Sequence, residues 1–123
     1  MPAEASLQEL QIVYSEIQSM REIYPNFFDK LLILMYKTER AKIPFGYVCQ
    51  RIMDVEINER YIKGNQRMRS EIHHDLFCLK TEHYEGYHHF SDLLKNNRLT
   101  GYNSICRMIL GDKPEDLKRG NFG

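Results

Sequence analysis

The feature that most constrains this chain is the spacing of apolar residues between positions 6 and 24. Leu10, Val13, Ile17, Met20 and Tyr24 recur at intervals of three and four, which lays one apolar stripe along an α-helix. Just ahead of the stripe, Ser6-Leu7-Gln8-Glu9 reads as a capping box, with the serine side chain accepting from the Glu9 backbone amide. Pro25 disfavours helical geometry at Tyr24 and ends the helix there. A striped helix of this kind is stable only when its stripe is covered, so the remaining segments are read as its cover.

Asn26 is expected to cap a second helix running to about Lys42. Its section from Phe27 to Tyr36 is apolar almost all round, which predicts a helix in the middle of a core. Ile43-Pro44-Phe45-Gly46 is the next break. From Tyr47 to Lys63 the spacing of Val48, Ile52, Val55 and Ile62 suits a helix stopped by Gly64. Asp54-Val55-Glu56-Ile57 alternates like a strand, so a short hairpin around 54–68 is the competing reading. Met68, Ile72, Leu76 and Leu79 define a helix over roughly 66–84. Gly86 is expected to kink the chain before Tyr87–Asn97 resumes with Phe90, Leu93 and Leu94. Thr100 or Asn103 opens a short helix ending at Gly111, and Asp112-Lys113-Pro114-Glu115 begins one more turn. The expected fold is all-α, an irregular bundle of five or six short helices forming a single domain over 1–123, with loose tails at 1–5 and 119–123.

Composition fits that expectation, since 42% of the residues are hydrophobic and 28% charged, near the globular average. The charges sum to zero but are not evenly spread. Residues 1–29 carry a net −4, residues 30–69 a net +5, residues 70–94 a net −4 and residues 95–123 a net +3. Zero net charge gives no global attraction to nucleic acid or to anionic membrane. The three cysteines, Cys49, Cys78 and Cys106, are odd in number and lack a Cys-x-x-Cys spacing, so a reducing intracellular location, cytoplasmic or nuclear, is expected rather than a disulfide scaffold. No signal peptide is read at the amino terminus. The longest apolar run, Leu31 to Tyr36, is six residues against the roughly 20 that a membrane span needs.

Chemistry-bearing residues cluster in one place. All five histidines fall between His73 and His89. Glu71, His74 and Cys78 share one flank of the predicted helix, where one turn brings imidazole and thiol within reach of a single Zn²⁺ or another divalent transition metal. His88 joins them only if the chain bends at Gly86. The competing reading leaves all four as hydrated surface groups, and no bound cofactor is the primary expectation. No nucleophile elbow, phosphate loop or dinucleotide fingerprint is present, and no catalytic residue is assigned.

Two kinds of macromolecular surface are also legible. Ile12, Tyr14 and Ile23 lie off the main stripe of the first helix, which suggests a second flank facing a protein partner or a second copy of the chain. Arg60, Lys63, Arg67 and Arg69 form a basic strip to accompany it. A nucleic-acid reading instead uses the helix-turn-helix outline at 93–112, with Lys95 and Arg98 on phosphates and Tyr102, Asn103 and Arg107 at base edges. The function expected first is that of a non-enzymatic regulator or adaptor that binds another protein. A nucleic-acid-binding regulator stands second. A metal-binding protein or metal-dependent enzyme built on 71–89 stands third.

Overall fold

The computed structural model describes residues 5–53 and 66–119, leaving out the side chains of Gln66, Lys118 and Arg119. Among the described residues the chain is all-α, with seven helices and no strand: α1 (Leu7–Ile23), α2 (Pro25–Arg40), α3 (Phe45–Ile52), α4 (Gln66–Glu82), α5 (Tyr84–Asn96), α6 (Tyr102–Leu110) and α7 (Pro114–Arg119), with a short 3₁₀ turn at Arg98–Thr100. All seven contribute to one contiguous apolar core. No helix among the described residues is long and apolar enough to cross a membrane. The alternating stretch 54–57 and most of the 54–68 hairpin reading lie outside the described residues, whereas 66–68 are helical. The same holds for the expected tails at 1–4 and 120–123; Ala5 packs on the core and Arg119 closes α7.

α1 follows its stripe. Leu10, Val13, Ile17 and Met20 are buried, and the Ser6 side chain accepts from the Glu9 amide at 3.1 Å. Its junction with α2 corrects one expectation. Asn26 is not the cap, because Pro25 is already the first helical residue and Tyr24 alone separates the two helices. The Tyr24 amide donates to Met20 O at 2.7 Å, and its carbonyl accepts from the Phe28 amide at 3.0 Å, so one residue closes α1 and opens α2. Proline fits there because the first amides of a helix have no partner within it.

α2 is less enclosed than its composition predicts. Phe27, Phe28, Leu31, Leu34, Met35 and Thr38 point inward, Leu32 is half-buried, and Ile33 and Tyr36 are exposed. The helix touches α1, α3, α4, α5 and α6, yet one flank faces out, and on it stand two residues that the apolar run had placed in the core. The buried Thr38 hydroxyl is satisfied by Met35 O at 2.8 Å, a local bond that lets a polar side chain sit in an apolar layer.

The kink expected at Gly86 occurs three residues earlier. His83 separates α4 from α5 in the way Tyr24 separates α1 from α2: its amide donates to Leu79 O and its carbonyl accepts from Tyr87 N, both at 2.9 Å. Gly86 lies inside α5, buried, where a Cβ would stand 2.8 Å from Cβ and Cγ of Phe27. The glycine therefore serves close approach of α5 to α2 rather than bending. The two single-residue elbows lie side by side, with Tyr24 meeting His89 edge to face at 5.7 Å between ring centroids.

α6 and α7 complete the core with Ile105, Met108, Ile109 and Leu117. Gly101 (φ 81°) and Gly111 (φ 124°) bound α6 in a conformation that favours glycine. Arg21 reaches across from α1, donating to Ile109 O at 2.9 Å with its guanidinium over the Phe28 ring. It thereby satisfies one of the carbonyls that a helix C-terminus leaves open.

Candidate functional site

The outer face of α1 shows first what becomes of the predicted partner flank. Ile12 and Ile23 are exposed, but Tyr14 is half-buried against the core. Two positions along a helix amount to about 200° of rotation, so Ile12 and Tyr14 cannot share a face. Ile23 does share the Ile12 face, about 16 Å farther along the axis, with exposed Ser15, Glu16 and Ser19 between them. The three residues do not form one apolar flank.

Ile12 has a different neighbour. The end of α5 and the 3₁₀ turn fold against the first turns of α1, leaving a depression of about 410 Å³ lined by Glu9 and Ile12 on one side and residues 95–100 on the other. The turn is held in place by short-range bonds: the Asn97 side chain donates to Leu93 O at 2.8 Å, and the Thr100 amide donates to Asn97 O at 3.1 Å. With Thr100 buried, Leu99 faces outward, 62% exposed beside the 53% exposed Ile12. Lys95 and Arg98 rise on the same rim, both exposed, and neither makes an ion pair among the described residues. The site therefore combines two exposed apolar side chains with a net positive lining, Lys95 and Arg98 against the single carboxylate of Glu9. Sequence reasoning placed Ile12 in one hypothesis and Lys95 and Arg98 in another. Leu99 was missed, since a lone leucine between Arg98 and Thr100 belongs to no periodic pattern.

Of the predicted basic strip, only Arg67 and Arg69 are among the described residues, and they do not share a face. Arg60 and Lys63 lie outside the described residues, and Arg67 is exposed near the start of α4. Arg69 turns inward instead, its guanidinium 4.9 Å from the centre of the Tyr47 ring, with Nε and Nη1 buried and lacking an acceptor among the described residues. In the helix-turn-helix outline only Asn103 of the α6 trio is exposed. Tyr102 donates toward Met53 Sδ at 4.0 Å, and Arg107 pairs with Asp112 at 2.7 Å.

The histidines separate into different environments. His73 is hydrogen-bonded through Nε2 to the Tyr47 hydroxyl, and the two rings stack. Burial first, and then the nearby Arg51 and Arg69 guanidiniums, hold its pKa below the ordinary histidine value. Burial pushes the Tyr47 hydroxyl in the opposite direction. His88 stacks on Tyr84 and stands 3.6 Å from Asp92. Of the four residues suggested as metal ligands, only two meet, His74 Nε2 and Cys78 Sγ at 3.6 Å. Glu71 is turned to Lys37 at 3.5 Å, and His88 belongs to α5, beyond the His83 elbow. Among the described residues no group of three or more His, Cys, Asp or Glu is placed to hold a metal ion. Burial raises the thiol pKa of Cys49 well above the usual range and that of Cys106 to about 12, which keeps both protonated and poorly nucleophilic.

Comparison with protein families, with curated proteins and with solved structures finds no match to this chain.

Proposed function

We propose that the protein is a non-enzymatic adaptor or regulator that binds another protein through the depression between α1 and the end of α5. The partner segment it suits is short, with one or two apolar side chains to cover Ile12 and Leu99 and carboxylates to meet Lys95 and Arg98. The observation that carries the reading is the juxtaposition, in one concave place, of two large exposed apolar side chains with two cations outside any ion pair among the described residues, against one carboxylate at Glu9. An apolar centre with a charged rim is the usual composition of a protein-binding patch. The rim charges set orientation and encounter rate, while the apolar contacts supply the affinity. A nucleic-acid strand could use Lys95 and Arg98 for its phosphates, but Ile12 and Leu99 offer nothing to stack a base on.

Selection from a random peptide library displayed on phage tests this without knowledge of the natural partner. Against the wild-type chain, enriched peptides should carry an apolar residue flanked by Asp or Glu. Ile12→Glu with Leu99→Glu should abolish enrichment, and Lys95→Glu with Arg98→Glu should invert the charge preference. All four side chains are exposed, so the variants should fold as the wild type does. Enrichment that is the same for wild type and both double variants would place recognition elsewhere. A preference for single-stranded oligonucleotides over every peptide would favour the nucleic-acid reading.

A further inference from the structure

A second feature, independent of that depression, lies on the outer face of α4. His74 and Cys78 stand one turn apart, with Nε2 and Sγ 3.6 Å from each other. Two ligands bound to one zinc ion at about 2.05 Å (nitrogen) and 2.3 Å (sulfur), at a tetrahedral angle, are about 3.6 Å apart. The pair is thus already at the spacing that one Zn²⁺ requires, presented by a rigid helix rather than a loop. Closed zinc sites take four ligands, and this copy of the chain supplies two. Of the other carboxylates on the same helix, Glu71 and Asp75 face Lys37, at 3.5 and 2.8 Å, and Glu82, one turn beyond Cys78, does not complete a group of three ligands with the pair among the described residues.

The surroundings of the pair match a contact between copies. Phe77 flanks it on one side and Ile33 of α2 on the other, each 64% exposed. Between α2 and α4 runs a depression of about 390 Å³ whose lining includes Ile33, Leu34, Cys78 and Leu79. Lys30 and Lys37 rise on its α2 side, Asp75 and Glu82 on its α4 side. Lys37 and Asp75 pair with each other at 2.8 Å, which leaves Lys30 on one edge and Glu82 on the other, and a twofold related copy can set its Glu82 against this Lys30.

We infer that His74 and Cys78 form half of a zinc site that a second copy of the chain completes, giving a two-histidine, two-cysteine centre on a twofold axis. Each Cys78 thiol releases its proton to solvent as the sulfur binds the ion, and no redox step is involved. The exposed Phe77 and Ile33 of both copies are covered around the metal.

Untagged full-length protein, freed of metal and held in a phosphine reductant, is titrated with Zn²⁺ while its mass is followed by light scattering. The expected result is a monomer that becomes a dimer with one zinc per two chains, reversed by EDTA. Co²⁺ in place of zinc should give the intense visible bands of a tetrahedral site and thiolate-to-metal charge transfer, from two sulfurs per metal. Cys78→Ser and His74→Ala should each remove dimerisation and the cobalt spectrum. His74 is exposed and Cys78 half-buried, so the metal-free melting temperatures of these variants should stay close to that of the wild type. Phe77→Ser should weaken the zinc dimer without altering the ligand set. The inference is overturned by a chain that stays monomeric and metal-free, by one zinc per monomer, or by zinc uptake that survives both ligand variants. A dimer that resists EDTA and disappears with stronger reductant, which would mark a Cys78–Cys78 disulfide, also overturns it.

Discussion

At His73 the surroundings decide a charge that the sequence leaves open. The imidazole is partly buried, hydrogen-bonded to the Tyr47 hydroxyl and flanked by Arg51 and Arg69. Burial and then the two guanidiniums disfavour the protonated ring. The folded pKa therefore lies below the unfolded value of about 6.5. A depressed pKa means that the unfolded chain binds the proton more readily. The stability contributed by the neutral ring is then fully present above about pH 6.5 and is lost as pH falls through the folded pKa. Urea titrations at a series of pH values from 8 down to 5 should show this as a falling midpoint. His73→Gln, which retains an acceptor for Tyr47, should show a shallower acid limb. An equal acid limb in wild type and variant would mean that the ring does not titrate in the depressed range. The string His73-His74 gave no hint of this difference, since one ring turns to α3 and the other to solvent beside Cys78.

At the scale of elements, helix positions were legible where periodicity was strong and capped. The stripe of α1 and the Ser6 cap are where their spacing predicts, and the stripes of α4 and α5 bury Ile72, Leu76, Leu79, Phe90, Leu93 and Leu94 as expected, with Met68 only half-buried. What was not legible was the joints. Tyr24 and His83 break helices in single residues through their own backbone angles, and no turn-forming residue marks His83. Gly86, the residue that reads as a breaker, is required instead by the packing of α5 on Phe27. Gly86→Ala should cost about 1–3 kcal/mol, as overfilling a tight contact does, although alanine is the better helix former. A denaturant midpoint equal to or above wild type would show that Phe27 gives way freely. α2 offers a companion test. Composition made it apolar all round, but Leu31 and Leu34 are buried while Ile33 is 64% exposed. Leu31→Ala and Leu34→Ala should each destabilise by about 2–5 kcal/mol, and Ile33→Ala by less than about 0.5 kcal/mol. Similar losses at all three positions would contradict the outward flank.

On the scale of the whole molecule, function depends on what folding brings together from distant parts of the chain. Ile12 reads as one end of an apolar flank along α1, yet its true neighbours are Lys95, Arg98 and Leu99, supplied by the other half of the sequence. Tyr14 and Ile23 were grouped with it on composition, and helix rotation and distance separate them. Likewise the predicted recognition helix α6 is largely committed to internal contacts: Ile105, Met108 and Ile109 are buried and Arg107 is held by Asp112. The partner-binding claim rests on that one assembled surface, and backbone amide chemical shifts test it most directly. Uniformly ¹⁵N-labelled protein is titrated with an acidic peptide enriched by phage selection against the wild-type chain. The largest shifts are expected at residues 9–12 and 95–100, saturating together and vanishing in Ile12→Glu with Leu99→Glu. Saturable shifts centred on α4 or α6, with residues 9–12 and 95–100 unmoved, would contradict the partner-binding claim.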